Sequence, residues 1–122
     1  MTRATITIKR KDGVFDQLWH VNSDGYPEGG LGEEIFANLK TVNDIERAII
    51  IFRKADCFSR IETSFTIGET DNIQNIIKQY NDYSYVFDEE TGKWEYYFFD
   101  EGPYDLEEAL KKEEEEEEDD RN

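Results

Sequence analysis

The chain has 122 residues, enough for one domain with a single modest hydrophobic core. Its 14 lysines and arginines are outnumbered by 30 aspartates and glutamates, so the net charge is −16 at pH 7. A charge of this size opposes direct binding to nucleic acid or to an anionic membrane, and it favours a basic protein partner through long-range attraction. The one cysteine, Cys57, excludes an intramolecular disulfide and a zinc ribbon, and we expect it to be buried.

The acidity is concentrated in the second half of the chain. Residues 1–60 carry equal numbers of acidic and basic side chains, whereas residues 61–104 and residues 105–122 each have a net charge of −8. The same acidity also serves solubility, so partner binding is not the only explanation for it. No apolar run approaches the ~20 residues that span a bilayer, and the N-terminal residues lack the apolar run that is typical of a secretory signal. We therefore expect a soluble, cytoplasmic protein that contacts no membrane.

Residues 4–9 and 14–21 predict two strands. The first run alternates between apolar and polar side chains, and the second is rich in Phe, Leu, Trp and Val. Lys11-Asp12-Gly13 between them is typical of a hairpin turn. A glycine-rich loop follows, after which Glu33 and Glu34 suit the first turn of a helix, where carboxylates meet the positive end of the helix dipole.

The middle of the chain predicts a second helix, a third strand and a third helix. Asn43 is a favourable N-cap for the second helix, whose apolar residues recur at helical spacing. Residues 60–67 alternate with period two, which predicts a strand, and Gly68-Glu69-Thr70 is expected to break it. Thr70 or Asp71 then caps the third helix.

A second hairpin and a short helix complete the predicted elements. Residues 83–87 and 93–99 are rich in aromatic side chains and flank a loop that has a glycine near its end. Gly102-Pro103 is expected to end the sheet, and residues 105–112 have helical spacing. Residues 113–120 are consecutive acids, whose mutual repulsion favours a frayed or disordered tail.

The predicted element order is ββ-α-α-β-α-ββ-α. This order indicates an α+β fold with a largely antiparallel sheet of about five strands and helices packed on one face. We expect a single domain over residues 1–104, followed by an acidic helix and tail over residues 105–122 that is frayed or disordered beyond residue 112.

The glycine-rich loop before the first helix is the strongest candidate for a site. Residues 22–34 combine four glycines, a proline, a tyrosine and four carboxylates, so the backbone has a demanding shape. We expect Gly25 to adopt positive φ in a tight turn. Two interpretations stay open: a structural pair of turns with the tyrosine packed on the sheet end, or an exposed recognition loop. The recognition interpretation assigns partner binding to Asp24, Gly25, Tyr26, Pro27 and Glu28.

Patterns for catalysis and metal binding are weak in this sequence. A nucleophilic triad needs a base beside Ser or Cys, but the only histidine, His20, alternates with Trp19 on a predicted strand. The loop carboxylates do not follow the calcium-loop pattern, and they would repel a bound phosphate. We therefore predict a non-enzymatic protein without catalytic residues, a metal ion or a cofactor.

The last hairpin supplies a second candidate surface, which combines acidic and aromatic side chains. Its tyrosines could suggest a platform on which bases stack, but such platforms need basic surroundings, and residues 61–104 have a net charge of −8. We instead expect Phe87 and Trp94 to face the core and other aromatic residues to line a protein-binding surface. That surface is assigned to Asp88, Glu89, Glu90, Glu95, Tyr97, Asp100 and Glu101.

Several of these segments resemble a group of small uncharacterised prokaryotic and phage proteins. The matching residues are Arg3-Ala4-Thr5-Ile6 in the first strand and Ser23-Asp24-Gly25-Tyr26-Pro27 in the loop, and a tyrosine-rich pair of strands follows. The group places a histidine directly before the loop motif, whereas Asn22 holds that position here and His20 lies two residues earlier. The resemblance implies the fold and a phage or mobile-element origin, and it implies no activity.

Together these features predict a phage-type accessory protein that binds and inhibits a basic host protein. Nucleic-acid mimicry is the concrete mechanism, because duplex DNA presents one charge per ~1.7 Å and a carboxylate-lined surface can occupy the same basic channel. An anti-CRISPR or other anti-defence protein would act in this way on a nucleic-acid-binding target in the host cytoplasm. The alternative is a structural, assembly or adaptor module whose acidity serves solubility only. We expect a monomer or small homo-oligomer that does not bind nucleic acid directly.

Deletion of residues 113–122 should leave the fold intact. The segment has no apolar side chain to bury, and removal of its like charges should raise stability slightly at low salt. Thermal unfolding of the full and the truncated chain, compared at low and at physiological salt, measures this effect. A truncated chain that unfolds at a much lower temperature would mean that the tail supports the folded structure.

Overall fold

The computed structural model describes residues 2–22, 24–48, 61–62, 68–79 and 81–112. In these residues the chain forms one sheet, whose strands are β1 (Ala4–Lys9), β2 (Phe15–Val21), β3 (Ile61–Glu62), β4 (Gly68–Thr70), β5 (Tyr83–Asp88), β6 (Lys93–Phe98) and β7 (Glu101–Asp105). The helices are α1 (Leu31–Asn38), α2 (Val42–Glu46), α3 (Gln74–Ile77) and α4 (residues 106–112). In the described ranges no helix is long and apolar enough to cross a membrane.

The strand order across the sheet is β3-β2-β1-β5-β6-β7, and β4 pairs with β2 along the same edge as β3. Neighbouring strands are antiparallel except β1 and β5, which run parallel. The parallel pair arises because the chain crosses over from β2 and returns on the other side of β1. The predicted α+β class and the largely antiparallel sheet are confirmed, but the described residues form seven strands where about five were predicted.

β1 is the central strand, and residues 4–8 are buried on both of its faces. Ala4, Ile6 and Ile8 alternate onto one face and belong to the main hydrophobic core. Thr5 and Thr7 point to the opposite face and are also fully buried. The sheet is therefore covered on both sides at its centre.

α1, α2 and α4 cover the core face of the sheet. Trp19 donates an indole hydrogen bond to the Ile45 carbonyl (2.7 Å), and Trp94 donates one to the Leu39 carbonyl (2.9 Å). Trp94 is buried with Phe87, and their rings meet edge-on at 5.2 Å, which confirms that both face the core. The helices themselves contribute fully buried side chains to this core, namely Leu31, Ile35, Ile45 and Leu106.

α2 begins at a capping box, and the predicted cap at Asn43 is wrong. The Thr41 hydroxyl accepts the Asp44 N–H (3.1 Å), and the Asp44 carboxylate accepts the Thr41 N–H (3.1 Å). These two side chains satisfy each other's backbone donors, so the helix starts before Asn43 can act as a cap.

α4 lies beyond the predicted domain boundary at residue 104, but its first residue is part of the core. Leu106 is fully buried, and Leu110 packs against the same core from one turn further along the helix. Residues 106–112 therefore pack on the domain.

The segment that carries α3 lies on the opposite face of the sheet. Gln17 and Gln79 exchange two side-chain hydrogen bonds of 2.7 and 3.1 Å. Gln17 pairs with Thr7, whose side chain points away from the main core, so Gln79 approaches the sheet from that second side. The prediction that the helices pack on one face is therefore wrong for α3, because this second face also carries buried side chains that need cover.

Two segments that the sequence assigned to breaks are strands. Gly68-Glu69-Thr70 forms β4 and pairs with residues 15–17 of β2. Gly102-Pro103 lies inside β7, where proline is tolerated because β7 is an edge strand with one side unpaired. Ile61 and Glu62 of the predicted third strand form β3. The remainder of that strand (residues 60 and 63–67), Cys57 and the acidic tail (residues 113–122) lie outside the described residues.

Candidate functional site

The glycine-rich loop folds directly onto the start of α1. The N–H groups of Leu31, Gly32 and Glu33 donate to the carbonyls of Asp24 (2.8 Å), Tyr26 (3.2 Å) and Pro27 (2.9 Å), in that order. Backbone donors that a helix N-terminus normally leaves open are therefore already paired within the loop. This pairing removes the N–H groups with which such a helix would bind an anion.

Close backbone approach explains the glycines of this loop. A Cβ atom at Gly25 would lie 2.7 Å from the Ala4 Cβ, and one at Gly30 would lie 2.5 Å from the Tyr26 carbonyl oxygen. The predicted positive φ at Gly25 is wrong, because the chain turns one residue earlier, at Asp24, whose φ is +58°. Aspartate tolerates this left-handed conformation, which leaves Gly25 to fit against β1.

Tyr85 fastens the loop to the sheet. Its hydroxyl donates a 2.6 Å hydrogen bond to the Gly25 carbonyl, and the Gly25 N–H donates to the Thr2 carbonyl at 3.0 Å. Tyr85 is fully buried in the centre of β5. Burial, followed by the neighbouring Tyr83 and Tyr96 hydroxyls, raises the pKa of Tyr85 far above its ordinary value. The neutral hydroxyl is therefore the form that holds the loop.

A groove of about 440 Å³ opens between this loop and the edge of the sheet. We call it the aromatic groove. The loop forms one wall, β5 and β6 form the floor, and β7 forms the other wall. Its lining residues are Tyr26, Pro27, Glu28, Tyr83, Tyr96, Phe98, Glu101 and Tyr104.

The rings of the aromatic groove contact one another in a continuous layer. Ring centroids are 5.0 Å apart for Tyr83 and Phe98, and 5.4 Å apart for Tyr96 and Tyr104. Burial is the main cause that raises the pKa of Tyr83, with the charge of Asp82 second, and burial also raises the pKa of Tyr96. These rings share one face because Tyr83 pairs with Phe98, Tyr96 pairs with Tyr104, and Phe98 lies two residues from Tyr96 along β6.

Large apolar side chains at the groove are partly open to solvent. Tyr26 is 38% exposed, Phe98 is 38% exposed and Tyr104 is 43% exposed. Tyr26 is therefore only partly packed against its neighbours, and its exposed part forms one wall of the groove. Exposed aromatic side chains grouped in this way are typical of binding surfaces.

The structure brings part of the two predicted site sets together. Tyr26, Pro27 and Glu28 of the loop and Glu101 of the acidic surface all line the aromatic groove. Asp24 and Gly25 instead attach the loop to its neighbours. The Asp24 carbonyl accepts the Leu31 N–H at the start of α1, and Gly25 is buried against β1.

The predicted acids of the β5–β6 turn lie at the other end of the strands from the groove. The Asp88 carboxylate accepts the Glu90 N–H (2.9 Å) and so shapes the turn. Glu89 accepts the Lys11 N–H (3.2 Å) and lies 4.0 Å from the Arg10 guanidinium. Asp88, Glu89 and Glu90 therefore do not form one surface with the loop.

The other predicted surface residues are also separate from the groove. Glu95 and Tyr97 flank Tyr96 on β6, so their side chains point to the opposite face of the sheet. Burial, and then the charge of Glu95, raises the pKa of Tyr97. Asp100 lines a different cavity of about 620 Å³, together with Arg3.

Four groove residues are not among the site residues predicted from the sequence, namely Tyr83, Tyr96, Phe98 and Tyr104. Alternation of aromatics at positions 83 and 85 and at 96 and 98 was the available signal, since a hairpin aligns these positions on one face. Tyr104 has no comparable signal, because the preceding Gly-Pro pair predicts the end of the sheet.

The groove offers aromatic faces, phenolic hydroxyls and carboxylates, and this chemistry suits a cationic or amphipathic ligand. In the part of the chain that the structure describes, no three His, Cys, Asp or Glu side chains are grouped to hold a metal ion. No family model, curated protein or solved structure matches the chain.

The substitution Gly25→Ala should lower the free energy of unfolding by about 2 kcal/mol, because the new methyl group overpacks the contact with β1. The double variant with Ala4→Gly lacks the nearest colliding atom. Its loss of stability should therefore be smaller than the sum of the losses in the two single variants. Chemical denaturation of the four proteins of this cycle measures the coupling. An absence of coupling would mean that the contact between Ala4 and Gly25 is not the cause.

The substitution Tyr85→Phe should lower stability at neutral pH by about 2 kcal/mol, because the Gly25 carbonyl loses its donor. The pKa of Tyr85 is higher in the folded chain than its ordinary value of 10.0 in the unfolded chain. The contribution of Tyr85 to stability is therefore complete below pH 10 and decreases as pH rises above it, because the unfolded chain ionises first. Above pH 10, the native chain should therefore lose about 1.4 kcal/mol more stability per pH unit than the variant does. Urea unfolding of the native chain and the variant between pH 8 and pH 11 measures both effects. If the free energy of unfolding falls with pH at the same rate in both proteins, Tyr85 is not the group that ionises only on unfolding.

Proposed function

We propose that this chain is a non-enzymatic binding protein and that its aromatic groove engages a basic protein partner. The observation that carries the proposal is the groove itself, where partly exposed Tyr26, Phe98 and Tyr104 lie beside the carboxylates of Glu28 and Glu101. Aromatic side chains in partly open pockets supply much of the binding energy in protein interfaces. Among the described residues, the groove lining consists of aromatic side chains, one proline and two glutamates.

Charge supports a basic partner for this groove. The chain has a net charge of −16, and residues 61–104, which supply most of the lining, have a net charge of −8. Among the residues that the structure describes, Glu28 and Glu101 form no ion pair with a lysine or arginine. Long-range attraction would bring a basic protein to this face, and contact with the rings would then hold it there.

Inhibition of a nucleic-acid-binding host protein is the biological role that we propose for this binding. Such proteins have basic channels for phosphates, and an acidic protein of this size can occupy such a channel. The suspected phage origin agrees with an anti-defence role of this kind. The groove would anchor the complex, and the remaining acidic side chains would speed association. In the alternative, a structural or assembly module, the acidity would serve solubility and the groove would bind no basic protein.

The substitution Tyr104→Ala should weaken binding of a basic host protein tenfold or more, because it removes an exposed ring from the groove. Tyr97→Ala is the matched control, since it removes a tyrosine from the opposite face of the same sheet region. Affinity capture from host lysate with the two variants and the native chain, followed by calorimetry on the purified partner, provides the comparison.

Binding should also weaken as salt is raised, and the protein alone should not shift labelled duplex DNA at physiological salt. A captured partner that is acidic, or an equal loss in the two tyrosine variants, would contradict the proposed role of the groove. A salt-sensitive DNA shift by the chain alone would contradict nucleic-acid mimicry.

A further inference from the structure

We propose that the aromatic groove recognises an arginine side chain of its partner. This inference rests on the proposed function and names the group that the groove binds. Ring faces and carboxylates lie side by side in one open groove of about 440 Å³. Each part alone is common on protein surfaces, whereas their combination favours one kind of ligand.

The ring faces select for a cation. Tyr96 and Tyr104 lie 5.4 Å apart and are tilted by 43°, so together they present a broad aromatic surface on the β6–β7 side of the groove. Aromatic faces carry negative potential and attract a cation within ~6 Å of the ring centroid. Tyr26 stands on the loop side, so a chain that enters the groove meets rings on both walls.

The carboxylates select for a cation that also donates hydrogen bonds. The Tyr104 hydroxyl lies 3.5 Å from a Glu101 carboxylate oxygen, which places that charge at the edge of the Tyr104 ring. Glu28 supplies a second carboxylate from the loop wall. A cation stacked on Tyr104 would therefore lie near a carboxylate that can accept its hydrogen bonds.

Arginine satisfies both requirements at once. Its planar guanidinium stacks on an aromatic face and still donates paired hydrogen bonds to a carboxylate at its edge. The lysine ammonium is compact and strongly hydrated, so it loses more on leaving water and stacks less well. A trimethylated ammonium has no N–H, so it would use the rings and would leave the carboxylates without hydrogen bonds. The charge of the groove is complementary to an arginine-containing segment of a basic protein.

The probe for this inference is a capped Gly-Gly-Arg-Gly-Gly peptide, titrated into the full chain and followed by NMR through the ring signals of Tyr104 and Phe98. Two matched peptides carry lysine or citrulline in place of arginine; citrulline keeps the planar shape and removes the charge. The arginine peptide should bind at least fivefold more tightly than the lysine peptide, and the citrulline peptide should bind at least tenfold more weakly than arginine.

A pair of charge-matched variants locates the carboxylate contact. Glu101→Gln should weaken the arginine peptide about tenfold, whereas Glu90→Gln, at the far end of the strands, changes the net charge equally and should leave binding within twofold. Both side chains are exposed, and thermal unfolding of each variant checks that the fold is intact.

The arginine assignment is wrong if the lysine peptide or the citrulline peptide binds as tightly as the arginine peptide. It is also wrong if Glu101→Gln and Glu90→Gln weaken the arginine peptide equally. Its failure is distinguishable from failure of the proposed function. If Tyr104→Ala still weakens a basic partner while the arginine peptide shows no preference, the groove binds a basic protein through another group. If neither the partner nor the peptide responds to Tyr104→Ala, the arginine assignment and the proposed function are both wrong.

Discussion

The hydrogen bond from the Tyr85 hydroxyl to the Gly25 carbonyl holds the glycine-rich loop to the centre of the sheet. Both groups are buried, and each would be costly to leave without its partner. The Gly25 N–H is bonded to Thr2 on the other side, so the loop has two fixed points. Since Tyr26 and Glu28 follow directly, the position of one wall of the aromatic groove depends on this contact.

The same loop also bears on which ligands the proposed site would favour. Its carbonyls accept the first N–H groups of α1, so the positive end of that helix is closed to anions. What the surface presents instead are ring faces from the loop, β5, β6 and β7, with carboxylates beside them. A loop rich in glycine next to a helix N-terminus often serves phosphate binding, and here the backbone pairing and the charge both favour a cation.

The acidic side chains of this chain have different roles, although they look alike in sequence. Asp44 caps α2, Asp82 accepts the Arg3 N–H at 3.0 Å, and Asp88 shapes a turn. These carboxylates are satisfied by backbone donors and stabilise the domain. Glu28 and Glu101 lie at the groove, where their charge acts on whatever enters it. In the proposed function, the net charge of −16 would attract a partner at long range, whereas specificity would depend on the few carboxylates at the groove.

The sequence by itself determined the hairpins, the core side of β1 and the importance of the loop, because period-two alternation and glycine-proline clusters act locally. It also identified Tyr26, Glu28 and Glu101 as surface residues of interest. Only the tertiary structure decided that they share a groove with Tyr104, because pairing of β7 with β6 joins residues whose proximity no local pattern encodes. The parallel pairing of β1 with β5 likewise joins residues that lie about two thirds of the chain apart, and it buries both faces of β1.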